Sequence, residues 1–139
     1  MKIEYPATIT RDQDDNYLVE FIDLAEAFTE GESLDEALFN AAEVLTLCLE
    51  QRIADKQEIP DPSPASGDNV FRIIPDVGVQ VALLVRKNRA DTTLAELARS
   101  LETSWASVQR LENPTGSPSL KTLNRVAAAL GKRLVVAFE

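Results

Sequence analysis

The chain of 139 residues contains no histidine and only one cysteine. The absence of histidine excludes Ser-His-Asp and Cys-His triads, imidazole metal ligands and imidazole acid–base chemistry. A single cysteine, Cys48, can form neither a disulfide within the chain nor a cysteine-based zinc site, so we expect it to be a small core hydrophobe. Any enzymatic chemistry would therefore depend on carboxylates.

Long apolar runs are also absent. No stretch approaches the ~20 apolar residues that span a membrane, and the N-terminus lacks the charged and apolar regions of a signal peptide. We therefore expect a cytoplasmic protein that makes no membrane contact. The hydrophobic content of 45% is enough for a packed core, and the length suits one ordinary domain or two small ones.

The charges that are present are sorted along the chain. Residues 1–76 carry 5 basic and 18 acidic side chains, a net charge of −13, and residues 77–139 carry 9 basic and 5 acidic, a net charge of +4. Their sum is the −9 of the whole chain. Opposite fields indicate two partners of opposite sign: a cationic protein for the acidic part and nucleic acid for the basic part.

The first part predicts an antiparallel sheet. Apolar and polar residues alternate with period two over 2–10 and again over 17–22, which indicates two half-buried strands joined by the polar turn 12–16. A short third strand is predicted at 27–31. The run 70–74 predicts a fourth strand that returns to the same sheet, so the domain boundary is expected near residue 75.

A helix and an open connection are predicted between the third and fourth strands. Ser33 begins a capping-box pattern, and the apolar residues after it fall on one helical face that would pack on the sheet. The Pro- and Ser-rich stretch 60–67 follows and predicts an exposed connection.

Residues 93–113, TLAELARSLETSWASVQRLEN, closely resemble a helix-turn-helix of the phage-repressor (Cro/C1) type. Thr93 and Ser104 are the predicted N-caps, and the small Ala98 would let the two helices cross closely. Glu102 stands at the corner where glycine is usual, so it must adopt a left-handed backbone angle or use a different turn. Similar helix pairs occur in bundles that bind no DNA, but the positive balance and the next helix favour DNA binding.

The rest of the second part predicts further elements. Residues 77–89 form either the first helix of the bundle or, because of their valines, a strand. Another helix would have Ser117 as N-cap, Pro118 at its first position and Gly131 as C-cap. The apolar run near the C-terminus predicts a strand that must pair with a second copy, because a lone strand leaves its backbone unsatisfied. The candidate dimerisation residues are Leu134, Val135, Val136, Ala137 and Phe138.

Candidate DNA contacts come from the outward positions of the second helix of the pair: Trp105, Ala106, Ser107, Gln109 and Arg110. Ser107 and Gln109 can offer hydrogen bonds, and Arg110 can contact guanine edges or phosphate. Trp105 either touches DNA or packs in the core. The candidates for phosphate contact, with solvated charges as the alternative, are Lys121, Arg125, Lys132 and Arg133.

The order of short motifs along nearly the whole chain resembles the HicB family of antitoxins. The motifs are Tyr5-Pro6-Ala7, the Asp/Asn turn before Tyr17, Phe21-Ile22-Asp23-Leu24 with Glu26-Ala27, Gly31-Glu32-Ser33, Glu36-Ala37-Leu38 with Asn40-Ala41, Ile59-Pro60 with Pro62-Ser63, the helix-turn-helix and Ala129-Leu130-Gly131-Lys132. No single motif is decisive, but their order is. Some members of the family carry a ribbon-helix-helix, and this chain resembles the helix-turn-helix branch.

The resemblance implies an antitoxin of a type II toxin–antitoxin system. Its α+β fold would consist of an acidic partial RNase H-like αβ domain, 1–75, and a helix-turn-helix domain with a terminal strand, 76–139. The first domain would neutralise HicA, a small basic ribonuclease that cuts mRNA. The second would bind an inverted-repeat operator of its own operon as a dimer or tetramer. No cofactor, metal or catalytic residue is implied.

The candidate toxin contacts are acids at turns and strand ends: Asp14, Asp15, Asp23, Glu26, Glu30 and Glu32. A two-metal nuclease would need carboxylates that converge from the strands and the helix, and the acids here are scattered. Two alternatives remain: a stand-alone repressor whose acidic domain binds a ligand or oligomerises, and a weak carboxylate-dependent nuclease.

Overall fold

The computed structural model describes all 139 residues and has an α+β fold with four strands and five helices. The elements in chain order are β1 (Tyr5–Arg11), β2 (Tyr17–Phe21), β3 (Phe28–Gly31), α1 (Leu34–Ala54), β4 (Val70–Ile73), α2 (Val77–Arg89), α3 (Leu94–Ser100), α4 (Trp105–Leu111) and α5 (Leu120–Ala129). The chain forms two compact units, Met1–Val79 and Gln80–Glu139, which we call the first and the second unit.

The first unit is one antiparallel sheet in the order β3-β2-β1-β4, with α1 against one of its faces. Ala7 pairs with Phe21 and Ile9 with Val19, and all four side chains are buried on the α1 face. Burial of alternate residues is what period-two sequences produce when one sheet face is covered. The three predicted strands of this region and the returning fourth strand are present.

Helix α1 begins at the predicted cap. Ser33 Oγ accepts a hydrogen bond from Glu36 N at 3.1 Å, which satisfies one of the donors that a helix start leaves free. Gly31 lets β3 approach this helix closely, since a Cβ there would lie 2.5 Å from Ala37 N. Five of its side chains are buried against the sheet: Ala37, Ala41, Leu45, Cys48 and Leu49.

The Pro-rich stretch is irregular and none of its residues is buried, as expected, but hydrogen bonds anchor it. Tyr5 Oη donates to Pro60 O at 2.7 Å, and Arg72 Nη2 donates to Ser63 O at 2.8 Å. The Asp23 carboxylate accepts from Ser63 N at 2.9 Å and from Ser63 Oγ at 3.1 Å. The stretch has no regular secondary structure, but these bonds tie it to β1, to β4 and to the residue Asp23 after β2.

The second unit is helical, and residues 77–89 form a helix rather than the alternative strand. Its core joins residues from all four helices: Val85, Leu97, Ala98, Leu101, Val108, Leu111 and Val126. Val108 and Leu111 of α4 lie in the same cluster as Leu97 and Ala98 of α3.

Both ends of α5 differ from the prediction by one or two residues. The N-cap is Ser119 rather than Ser117, and its Oγ accepts from Thr122 N at 3.1 Å. Ser117 has φ 43°, outside the extended conformation that a cap requires, so Pro118 precedes the cap instead of following it. The C-cap is Leu130, and Gly131 follows it with φ 71°.

The chain after α5 has no regular secondary structure, so the predicted terminal strand is not formed within a single chain. Val135, Val136 and Phe138 are exposed there, and Phe138 is fully so. A strand at this position requires another chain to pair with, and it stays a prediction.

Candidate functional site

The exposed side of α4 is set by the residues it buries. Because Val108 and Leu111 face the core, the positions between them face solvent. Gln109 and Arg110 are exposed there, Ala106 is exposed in the first turn, and Trp105 is 51% exposed. Four of the five predicted DNA-contact residues of this helix are therefore accessible, and Trp105 is not a core residue of the second unit.

Ser107 also takes part in the N-terminal cap of α4. The N-cap Ser104 accepts from Ser107 N at 3.1 Å, and the two hydroxyl oxygens are 2.9 Å apart in a further hydrogen bond. The Ser107 hydroxyl is thus engaged in the cap of α4 and is half-buried. It helps to fix the helix start, and only its remaining hydrogen-bonding capacity is open to a ligand.

The corner between α3 and α4 has the backbone geometry that glycine usually supplies. Glu102 adopts φ 54°, and Thr103 N donates to Ala98 O at 3.0 Å. Arg125 of α5 donates from Nη2 to Leu101 O at 2.9 Å, which links α5 to the end of α3. Arg125 is exposed, and this bond uses only part of its donor capacity, so its contact with phosphate stays a prediction.

Arg89 and Glu112 form a bidentate ion pair that sequence inspection missed. Arg89 Nε lies 2.6 Å from Glu112 Oε2, and Nη2 lies 3.0 Å from Oε1. Arg89 Nη1 also donates to Thr92 O at 2.8 Å, and the hydrogen bonds to Glu112 raise the pKa of Arg89. The pair joins the end of α2 to the end of α4 across 23 residues of sequence, a separation that carries no local signal.

The remaining candidate phosphate contacts lie at the two ends of α5. Lys121 is exposed in the first turn, whereas Lys132 and Arg133 are exposed after the helix ends. Ten helical residues rise about 15 Å, so these cations do not form one cluster.

The six acids predicted to contact a toxin lie at opposite ends of the first unit's sheet. Because Leu18 pairs with Glu30 and Tyr17 with Gly31, the β1–β2 turn and the end of β3 are adjacent. Asp14, Asp15, Glu30 and Glu32 are exposed at this end, and Asp15 lies 3.2 Å from Arg11 in a solvated ion pair. Asp23 and Glu26 follow β2, at the other end of the sheet.

Asp23 and Glu26 already have partners within the chain. Asp23 holds Ser63, as described above, and Glu26 forms a bidentate pair with Arg52 through contacts of 2.6 and 2.9 Å. The hydrogen bonds from Arg52 lower the pKa of Glu26 to about 2. Beside this pair, the pKa of Cys48 is raised to about 11, mainly by burial and secondly by the hydrogen bond with Glu26. This thiol is therefore un-ionised at neutral pH. Asp23 and Glu26 therefore support the fold through these bonds.

The sheet face opposite α1 carries no helix and was not singled out from the sequence. Side chains that pair across the strands share a face, and Glu20 pairs with both Phe28 and Thr8, which in turn pairs with Val70. Leu18 and Glu30 form the next row. We call the six residues Thr8, Leu18, Glu20, Phe28, Glu30 and Val70 the open sheet face.

The structure groups no three Cys, Asp or Glu side chains into a set that could hold a metal ion. None of its helices is long and apolar enough to cross a membrane.

Comparison with known families identifies the class of protein that carries this fold. A family model described as the HicB-like antitoxin of bacterial toxin–antitoxin systems matches residues 4–83. The chain belongs to this family of antitoxins.

Particular relatives extend the similarity over nearly the full length. Antitoxin HicB of Escherichia coli strain K12 is 32% identical over 133 residues, which cover 95% of this chain and 96% of that protein. Antitoxin HicB 1 of Photorhabdus laumondii is 31% identical over 141 residues, which cover 99% of this chain and 88% of that protein.

Solved structures give weaker similarities. The N-terminal domain of the antitoxin HicB of Burkholderia pseudomallei is 19% identical and matches with a TM-score of 0.47, covering 54% of this chain and all of that domain. A chain of a toxin–antitoxin complex from Streptococcus pneumoniae, also 19% identical, matches with a TM-score of 0.48 and covers 78% of this chain and 95% of that one.

Proposed function

We propose that this antitoxin has two activities, one in each unit. The first unit binds and neutralises a HicA-type mRNA-cleaving toxin, and the second represses the operon by binding operator DNA. The observation that carries the proposal is the separation of charge. Residues 77–79 are uncharged, so the sequence totals of −13 and +4 are also the charges of the two units.

The acidic unit suits a partner that itself binds RNA. A ribonuclease with a cationic substrate surface is attracted by opposite charge, and a bound acidic protein excludes RNA from that surface. The exposed acids Asp14, Asp15, Glu30 and Glu32 would add to this attraction. Asp23 and Glu26 would act mainly through the fold, because Ser63 and Arg52 occupy them.

The second unit suits a helix-turn-helix role. Helices α3 and α4 share a core, their corner is tight, and α4 exposes Gln109 and Arg110 beside Trp105. Arg110 is able to make a bidentate contact with a guanine edge or a contact with phosphate. Lys121 and the cations after α5 would approach phosphates on either side.

Dimerisation would complete the repressor. The apolar residues of the C-terminal segment, Leu134 to Phe138, would form a strand with the same segment of a second copy. Two recognition helices held together would then match an inverted-repeat operator.

The DNA-binding arm is tested by titrating operator DNA with Arg110→Ala in the full chain. Binding should weaken by about 1–3 kcal/mol while toxin neutralisation persists. Arg99→Ala is the matched control, since Arg99 is exposed at the end of α3 rather than on α4. Unchanged operator affinity in Arg110→Ala combined with Gln109→Ala would remove α4 as the recognition helix.

The toxin-binding arm is tested by mixing the full chain with a HicA-type protein, expected to be encoded beside it, and measuring mRNA cleavage. Cleavage should stop at a one-to-one ratio. Continued cleavage, with no complex on a sizing column, would favour the repressor that acts alone.

A further inference from the structure

The open sheet face combines exposed apolar surface with carboxylates. Phe28 is 66% exposed on the edge strand β3, and Leu18 and Val70 are half-buried on the same face. The solvated face of an antiparallel sheet usually carries polar side chains, so an uncovered phenyl ring at this position is unusual. Single exposed hydrophobic residues are common, but this one has a defined setting.

Two acids frame the phenyl ring. Glu20 is the direct cross-strand partner of Phe28, and Glu30 lies two residues further along β3 on the same side of the sheet. Both carboxylates are exposed. Cross-strand neighbours have Cβ atoms about 5 Å apart, so the ring and the charges form one patch.

The single cation on this side of the four strands is engaged elsewhere. Arg72, which pairs with Pro6, donates from Nη2 to Ser63 O at 2.8 Å and to Ala65 O at 3.3 Å. It therefore binds the Pro-rich stretch rather than Glu20 or Glu30. The two carboxylates keep their charge available for a partner.

We propose that the open sheet face is the surface on which the toxin docks, with Phe28 as the apolar anchor and Glu20 and Glu30 as the contacts for its cations. The inference rests on the proposed function and adds the location of the interface. Aromatic side chains at the centre of an interface supply much of its affinity, and flanking charges supply orientation and association rate.

A second copy of this chain is a poor occupant for the same face. Two such faces would bring Glu20 and Glu30 of one protomer against the same acids of its partner, and like charges at an interface are unfavourable. A partner with lysine or arginine around an apolar site has the complementary chemistry. Nucleic acid is repelled by the same carboxylates.

The chain offers a matched control for the anchor. Phe39 is 64% exposed but lies on α1, on the other side of the first unit. The comparison is Phe28→Ala against Phe39→Ala in the full chain, with calorimetric titration against a catalytically inactive variant of the HicA-type toxin used above. Glu20→Gln with Glu30→Gln is compared with Glu43→Gln and Glu50→Gln on α1 by stopped-flow measurement of the association rate with the same toxin.

Phe28→Ala should weaken toxin affinity about tenfold or more, as expected for an aromatic anchor, and Phe39→Ala should stay within about twofold. The Glu20 and Glu30 double variant should slow association, and its α1 counterpart should not. Circular dichroism and operator binding of each variant separate loss of contact from loss of fold.

The contrary outcomes are distinct. If the wild-type chain binds the toxin and both open-face variants bind it equally well, the toxin docks elsewhere and only the inference fails. If the wild-type chain binds no toxin, both the proposed function and this inference fail. If Phe28→Ala instead lowers the oligomeric mass in sedimentation without toxin, the face is occupied by a second copy and the inference is wrong.

Discussion

At the scale of single residues, two arginine–glutamate pairs hold distant parts of each unit together. Arg52 reaches Glu26 across 26 residues of sequence, and Arg89 reaches Glu112 across 23. Both pairs are bidentate, the geometry in which a guanidinium and a carboxylate bind most strongly. They differ in solvent exposure, so we expect them to differ in their contribution to stability.

Arg89→Met should destabilise the second unit. The side chain of Arg89 is 19% exposed and that of Glu112 is 13% exposed. Removing Arg89 therefore leaves the charge of Glu112 partly desolvated and unpaired. We expect a loss of about 2 kcal/mol in urea unfolding. Arg11→Met is the control, because the Arg11–Asp15 pair is 55% and 83% exposed and should contribute less than about 0.5 kcal/mol. Equal effects of the two substitutions would contradict this ranking.

Glu26 should make the stability of the first unit depend on acid pH. Its pKa is lowered from 4.5 to about 2 by Arg52, so its stabilising effect is complete above pH 4.5 and is lost as the pH falls through 2. Glu26 is 48% exposed, and after allowance for solvent screening we expect about 1 kcal/mol. The measurement compares urea unfolding of the wild type and Glu26→Gln between pH 5 and 2. Their difference should shrink with acidification, and a constant difference would contradict the assignment.

At the scale of elements, caps and corners decide where each helix begins and how it meets the next. Ser33, Thr93, Ser104 and Ser119 all have extended backbones, and each accepts a hydrogen bond from a backbone N–H three residues later. The ends of α1, α2 and α3 lack the glycine that often follows a helix, and Lys56, Ala90 and Glu102 adopt positive φ there instead.

Glu102→Gly should stabilise the second unit. A residue with a Cβ at φ 54° is strained, whereas glycine adopts this angle freely. The gain is reduced by the greater freedom of glycine in the unfolded chain, so we expect about 0.5 kcal/mol in chemical unfolding. Glu102→Ala separates the backbone effect from loss of the charge and should bring no gain. Stabilisation by alanine as large as that by glycine would assign the effect to the carboxylate.

Local patterns predicted most elements but few of the contacts between them. Capping and alternation depend on residues within four positions of each other, which is why the caps at Ser33, Thr93 and Ser104 were predicted correctly. The cap of α5 was wrong because two serines competed, and the turn before it put Ser117 in the left-handed region. The partners of Asp23, Glu26 and Arg125 lie 24 to 40 residues away, so their structural roles emerge only in the folded chain.

The open sheet face shows the same limit at a site. Phe28 and Glu30 are recognisable from the sequence as alternate residues of one short strand. Their juxtaposition with Glu20 depends on the register of β2 and β3, and the exposure of Phe28 depends on which sheet face α1 covers. One helix and one sheet leave one face open, but the alternation pattern does not say how a partner uses it.

At the scale of the whole molecule, the two units place opposite charge on one chain. The second unit, with a net charge of +4, is attracted to DNA, whereas the first unit, with −13, is repelled by it. Bound toxin would cancel part of that negative charge. If the proposed function holds, operator affinity should therefore depend on toxin occupancy as well as on the second unit, and this dependence should weaken as salt screens charges beyond about 8 Å.

Deleting residues 133–139 should separate the contribution of one second unit from that of a pair. The segment exposes Val135, Val136 and Phe138 and makes no strand within a single chain, so we expect it to hold two copies together. Without it, each recognition helix binds its half-site independently, and the loss of effective concentration should lower operator affinity about a hundredfold. Sedimentation should show the mass fall to that of a monomer, while titration of a single half-site should change little.

Arg133→Ala in the full chain is the control for the cation removed with the segment, and it should lower operator affinity only slightly. A truncated chain that sediments like the full-length protein would show that dimerisation, if it occurs, uses another surface.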